Sequence, residues 1–261
     1  MATFGGSDDL RGARFSGVDL RGARFAGGDL SGVTIRGVEL RGAEIDSPWL
    51  FDGENALRVN GVDVLPFVDA ELNRRFPGRA GRRAKDPAGL RAAWASVEDT
   101  WAAALARVAA MPDGTVDVSV DGEWSFAQTL RHLVFATDMW LGWAVLRAEQ
   151  PFHPIGQLDS GTEADGMQPP ASPPPPASPS LSASPPFAEV LAVRAGRVAM
   201  VRDFLTAVTP DVLAEPRANP HAPEHPETVL SCLHVILDEE WEHHRYAVRD
   251  LDAIEARPAG S

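Results

Sequence analysis

The chain of 261 residues is longer than an average domain and shorter than two large ones, and a hydrophobic content of 44% supports a sizeable core. With 37 acidic against 24 basic residues, a net charge of −13, it lacks the basic surface that releases counterions from phosphates, so nucleic acid is not an expected partner. Its one cysteine, Cys232, excludes an intramolecular disulfide and a thiolate-rich zinc site; no signal peptide or membrane-spanning run is visible, and a cytoplasmic location is expected.

From Asp8 the sequence recurs every five residues: DDLRG, ARFSG, VDLRG, ARFAG, GDLSG, VTIRG, VELRG, AEIDS. A large apolar residue returns at Leu10, Phe15, Leu20, Phe25, Leu30, Ile35, Leu40 and Ile45, a small one stands two positions earlier from Ala13 on, and glycine follows two positions later from Gly12 to Gly42. A period of five matches neither helix nor strand, so it suits a coil with corners. The segment resembles the pentapeptide-repeat family. That resemblance implies a right-handed quadrilateral β-helix over residues 8–47, each pentad forming one side and the apolar residues pointing inward. Eight sides make two coils, fewer than the three or so units that stacked repeats ordinarily need, so the segment is expected to lean on the residues C-terminal to it. Its arginines and acids nearly balance, which argues against mimicry of the one-sign surface of DNA and for a cap or docking platform.

Residues 48–85 read as a connector: a hairpin over Trp49–Val64 turning at Asn60-Gly61, then a helix over Pro66–Phe76. Four longer helices come next, over about 87–110, 125–148, 187–208 and 226–256, the first begun by Asp86-Pro87 and ended by Met111-Pro112. With no credible strands between them, residues 86–257 are expected to form an all-α four-helix bundle, which makes the fold class α+β multidomain. Residues 150–186 hold half of the 22 prolines and read as a crossover linker, with recruitment of a polyproline-binding partner as the sharper alternative.

The last helix carries an apolar seam of Val229, Leu233, Ile236, Ala247, Leu251 and Ile254 that is interrupted by Glu240 and His244. A carboxylate and an imidazole at i and i+4 on a buried stripe are costly unless satisfied, and they have the spacing at which one helix grips a metal ion. Glu239 and His243 share that spacing on a more polar stripe with Cys232, Val235, Tyr246, Arg249 and Asp250, so the apolar seam favours Glu240/His244. His132, on the second long helix, is the third ligand candidate. A hydrogen-bonded Glu–His pair without metal is the competing reading. The tryptophans read mostly as core anchors, with one or two lining a pocket above the metal.

A histidine on the second helix, a spaced pair followed by an arginine on the fourth, and the four-helix arrangement resemble the DinB-like superfamily, a bundle of metal-dependent proteins. It includes transferases and isomerases that use low-molecular-weight thiols such as mycothiol or bacillithiol. The resemblance implies a ligand set of one histidine on the second helix and His-x-x-x-His on the fourth; His132 and His244 match the outer members, and Glu240 stands where the middle histidine would. The implied cofactor is a divalent ion, zinc first, with nickel, iron and manganese as alternatives. The implied partners are a small-molecule thiol and an electrophile, with a homodimer as a further reading and no membrane. No residue stands out as a general base, and Arg249 is a candidate for binding an anion. The alternative function is a non-catalytic scaffold that recruits partners through the repeats and the proline-rich linker.

Overall fold

In the computed structural model, which describes residues 3–5, 8–51, 55–158 and 185–257, the chain divides into two units, Met1–Asp46 and Ser47–Ser261. In the first, glycine sets the geometry. Gly12, Gly22, Gly32 and Gly42 have φ of 71–74° and close turns in which the amides of Ala13, Ala23, Val33 and Ala43 donate to the carbonyls of Leu10, Leu20, Leu30 and Leu40 at 2.9–3.1 Å. Gly17, Gly27 and Gly37 have φ of 63–65° and mark bends without that bond. The five-residue sequence repeat is therefore a ten-residue structural repeat. Its eight large apolar residues, expected inside, are 43–68% exposed, and no strand is formed among the described residues of this unit. A segment this short gives each side chain few layers to pack against. The ion pairs Asp9–Arg11, Asp19–Arg21 and Glu39–Arg41 are exposed and contribute little to stability.

The second unit opens with a hairpin of β1 (Arg58–Val59) and β2 (Val62–Asp63), whose turn places Asn60 and Gly61 at φ 51° and 83°, the pair of positive angles that a two-residue hairpin turn demands. The pairing is confined to this tip of the expected hairpin. Helix α1 (Leu65–Arg75) comes next, then a tight 3-10 turn at Arg79–Arg83 in which buried Arg79 and Arg82 both reach Asp69 Oδ1, at 2.8 and 2.7 Å. Helix α2 (Pro87–Ala109) is started by the Asp86 side chain, which accepts from the Ala88 and Gly89 amides. Helix α3 (Phe126–Thr137) begins in a capping box: Ser125 Oγ accepts from the Gln128 amide while Gln128 returns the bond to the Ser125 amide. It continues as a π-helical stretch, Asp138–Val145. Helices α4 (Phe187–Ala207), α5 (Pro210–Leu213) and α6 (Val229–Glu255) complete the unit. A second hairpin, β3 (Pro216–Arg217) with β4 (Glu227–Thr228), precedes α6; at two residues per strand its pattern is too short to read from sequence. Of the expected linker, residues 159–184 lie outside the described residues.

Helix α2 packs on α6, α6 on α3, α3 on α4 and α4 on α2, closing a four-helix ring. Trp94, Trp241, Leu90, Leu133, Val190 and Ile236 fill its centre with 2% exposure or less, each worth about 1.5–3 kcal/mol of apolar burial. Between α3 and α4, residues 151–157 lie against α3 and its π extension. They approach so closely that a methyl on Gly142 would stand 3.2 Å from Pro151 Cβ, and one on Gly156 3.2 Å from Phe135 Cβ. Two hydrogen bonds strap them down: the Gln157 amide to the Arg131 carbonyl at 3.2 Å, and Arg131 Nε to the Ile155 carbonyl at 2.9 Å. Among the described residues, no helix is long and apolar enough to cross a membrane.

Candidate metal centre

His132, Glu239 and His243 converge where α3 meets α6, and one donor atom of each lies within 4.8 Å of the other two. His132 is 6% exposed and its Nδ1 stands 3.1 Å from the Gln157 carbonyl oxygen. A carbonyl only accepts, so Nδ1 carries a proton, and Nε2, 3.2 Å from Glu239 Oε2, either donates to that carboxylate as a second N–H or turns a lone pair toward it. Two acceptors at that distance repel unless a proton or a cation stands between them. Glu239 Oε2 is also 3.3 Å from His243 Nδ1, which in turn faces the Glu239 backbone carbonyl at 2.9 Å. That bond assigns the His243 proton to Nδ1 and leaves the lone pair on Nε2.

Burial pushes the Glu239 carboxyl up, but the hydrogen bond with His132 and the positive charge that His243, His132 and His221 can carry outweigh it and hold the group below its ordinary range. The two imidazoles stack on each other with ring centroids 4.6 Å apart, and Trp124 covers both, at 4.8 Å from His132 and 6.0 Å from His243. Trp124 is thus the tryptophan beside the centre, whereas Trp94, Trp101, Trp140 and Trp241 are core anchors. Tyr246 stands edge-on to His243, and the guanidinium groups of Arg245 and Arg249 lie over its ring at 4.4 and 5.1 Å. Arg249 donates to Asp250 at 2.7 Å and Arg245 to Glu242 at 2.9 Å, so both are engaged with carboxylates.

The pair preferred from sequence, Glu240/His244, is not brought to His132. Glu240 is 1% exposed and both of its carboxylate oxygens are held by Arg194 of α4. His244 lies edge-on to Phe76, Trp101 and Trp241 with centroids 5.8, 5.3 and 6.2 Å away, and its Nδ1 has no hydrogen-bond partner. Burial pushes its pKa down to about 4, so the ring is neutral at ordinary pH. The correction has a plain cause. The apolar seam marks the stripe of α6 that faces the sealed interior between α2 and α4, while the neighbouring half-polar stripe faces α3 and His132. Arg194, a cation on the face of α4 that also carries Val190, Val201 and Leu205, was the readable signal that Glu240 already has a partner.

Besides His244, three histidines of the loops and one of α6 stand outside the cluster. His153 accepts from the Ile155 amide at 3.2 Å, and His225 is exposed. His221 rests against Trp140, ring centroids 5.7 Å apart. An Asx turn fixes it: Asn219 Oδ1 accepts from the His221 and Ala222 amides while Asn219 Nδ2 donates to Glu227. His234 is half-buried with Nε2 2.8 Å from the Ala84 carbonyl.

Among curated proteins and among solved structures, none matches the chain. Two family models do. Pentapeptide repeats, in eight copies, match residues 9–44, the segment of recurrent glycine turns. The second matches residues 96–247, more than half of the chain, running from within α2 to within α6 and containing all three converging ligand candidates. Its description is the DinB superfamily, and the chain belongs to that superfamily.

Proposed function

We propose that the bundle holds one divalent metal ion on His132, Glu239 and His243 and acts as a metal-dependent transferase or isomerase using a low-molecular-weight thiol. The observation that carries this reading is the facing of His132 Nε2 and the Glu239 carboxylate across 3.2 Å, with Nδ1 fixed from behind by the Gln157 carbonyl. Such backing by a carbonyl is how metal-bound histidines are oriented. The donor set suits the ion: two neutral imidazoles and one carboxylate match catalytic zinc, and iron, nickel or manganese accept the same donors. Three protein donors leave a coordination position open, and a divalent ion there lowers the pKa of a thiol placed in it, making it a nucleophile at neutral pH.

The chain's own residues set the conditions. The strap of residues 151–157 holds His132 in one tautomer, Glu239 supplies the anionic charge that draws a cation, and Trp124 shields the two imidazoles from water. Metal analysis of the full-length protein after metal-supplemented expression tests the centre. About one equivalent is expected in the wild type, lost in His132→Ala and Glu239→Ala. Less than about 0.1 equivalent in the wild type overturns the reading. Thiol consumption by the metal-loaded protein, screened against electrophiles, tests the reaction class; a fully loaded protein that consumes none refutes that class and leaves the metal in place.

For residues 8–47 we infer two coils of a right-handed quadrilateral β-helix, on the support of eight repeat copies and positive-φ glycine corners. Residues 48–85 serve as a connector to a bundle over 86–257. The exposure of the eight large apolar residues favours a second reading in which this segment recruits a partner and the protein is a scaffold. Loss of a co-purifying partner on deletion of residues 1–46, with metal content unchanged, is the outcome that reading requires.

A further inference from the structure

A second polar site lies at the start of α3. Arg131 is 7% exposed, yet its guanidinium meets no carboxylate within salt-bridge distance among the described residues. Its one hydrogen bond runs from Nε to the Ile155 carbonyl, and Nη1 and Nη2 carry none. A largely buried charge without a counter-charge is costly to keep. The residue borders a cavity of about 160 Å³ that is also lined by Asp117, Ser125, Ala127, Gln128, Pro185 and Val190.

The backbone there offers further donors. The capping box uses the amides of Ser125 and Gln128 and leaves those of Phe126 and Ala127, which have no intrahelical acceptor and no other partner among the described residues. Both residues are at most 8% exposed, and both amides stand at the positive end of the α3 dipole. The volume is several times a water's share of about 30 Å³ and below the roughly 300 Å³ at which pockets for larger ligands begin. Asp117 is the one carboxylate on the wall; it makes no ion pair with Arg131 and opposes any anion that enters. Arg131 directly precedes His132, and successive helical residues point about 100° apart; none of the three ligand candidates lines the cavity.

We infer that this cavity binds a small oxyanion, a carboxylate or a phosphate, between the Arg131 guanidinium and the Ala127 amide at the start of α3. The occupant supplies the counter-charge that the described residues do not, and Asp117 keeps its affinity moderate.

Thermal melts and titration calorimetry of the full-length protein test this, with inorganic phosphate and acetate titrated at constant ionic strength against chloride, each with and without a chelator. Saturable stabilisation is expected and is indifferent to the chelator. Arg131→Gln weakens it by about tenfold or more, the loss of a charged hydrogen bond, and Asp117→Asn tightens it. A response to phosphate alone assigns a phosphoryl ligand, a response to acetate alone a carboxylate, and both together a general oxyanion site. No saturable response to either anion overturns the inference, as does a response that disappears with the chelator, since that places the anion on a metal. If Arg131→Gln does not fold, Asp117→Asn decides: unchanged or weaker binding in that variant overturns the site.

Discussion

Helix α6 carries two Glu-x-x-x-His pairs one residue apart, and a rotation of about 100° sends them to opposite fates. Glu240 and His244 lie on the deeper stripe, closed by Arg194 and by the rings of Phe76, Trp101 and Trp241. Glu239 and His243 lie on the shallower stripe, with side chains 27% and 15% exposed, and meet His132 from another helix. The same residue types at the same spacing thus make an internal ion pair beside an inert imidazole on one stripe and a convergent donor set on the next. Depth of burial tells where a helix is sealed. A ligand site needs convergence from a second element and a side left accessible.

The largest effect expected from this contrast is on metal affinity. Glu239→Ala removes a donor and lowers affinity by more than about 100-fold, the upper end of what loss of a mere supporting contact costs, whereas His244→Leu leaves it nearly unchanged. Competition with a chromophoric chelator measures both, and the opposite ranking returns the site to the buried stripe. Next comes Arg194→Met, which strands the Glu240 charge in the core and costs about 3–5 kcal/mol in urea unfolding. Adding Glu240→Leu restores most of that loss because it removes the stranded charge along with its desolvation. If Arg194→Met stays folded yet binds no metal, the two stripes are coupled and the contrast fails.

How far the sequence carried this reading depended on whether a feature was local. The helices were legible from 3.6-residue periodicity and their start signals, Asp86-Pro87 for α2 and Ser125 with Gln128 for α3, because caps and stripes are written within one turn. The glycine corners of the repeat were legible for the same reason, although the alternation of closed turns and open bends every ten residues was not. His132 was found, since it is the histidine of a strongly apolar helix. The choice between the two stripes of α6 was not legible by apolarity, because it depends on which neighbour each stripe faces, a long-range property. Nor were the strap from Gln157 to His132 or the place of His221 against Trp140, both of which arise from loops with no periodic signal.

Acid sensitivity sharpens the same contrast. The folded-state pKa of His244 lies near 4 against an ordinary 6.5, so above pH 6.5 the ring is neutral in both states and contributes no pH dependence. Between 6.5 and 4 the unfolded chain takes up a proton that the folded chain refuses, and stability falls as pH falls, by about 3 kcal/mol in all. Below that window the loss from this group is complete. His244→Phe should lack this component, which appears as the difference between the two pH profiles of urea unfolding, since the carboxylates titrate in both. Profiles that run parallel between pH 6.5 and 4 show that the ring is not sealed as described.

The smallest effect expected is at the start of α3. Ser125→Ala removes the side chain that accepts from the Gln128 amide and costs about 1 kcal/mol, the usual worth of an N-cap. His132 lies two turns further on and is held by the Gln157 carbonyl rather than by the cap, so metal affinity should stay at the wild-type level while the urea midpoint falls. A fall in affinity larger than the fall in stability has one meaning: the frame of α3, and not the strap from residues 151–157, positions His132. The shallow stripe of α6 would then owe its ligand geometry to helix packing, as the deep stripe does, and access alone would distinguish the two.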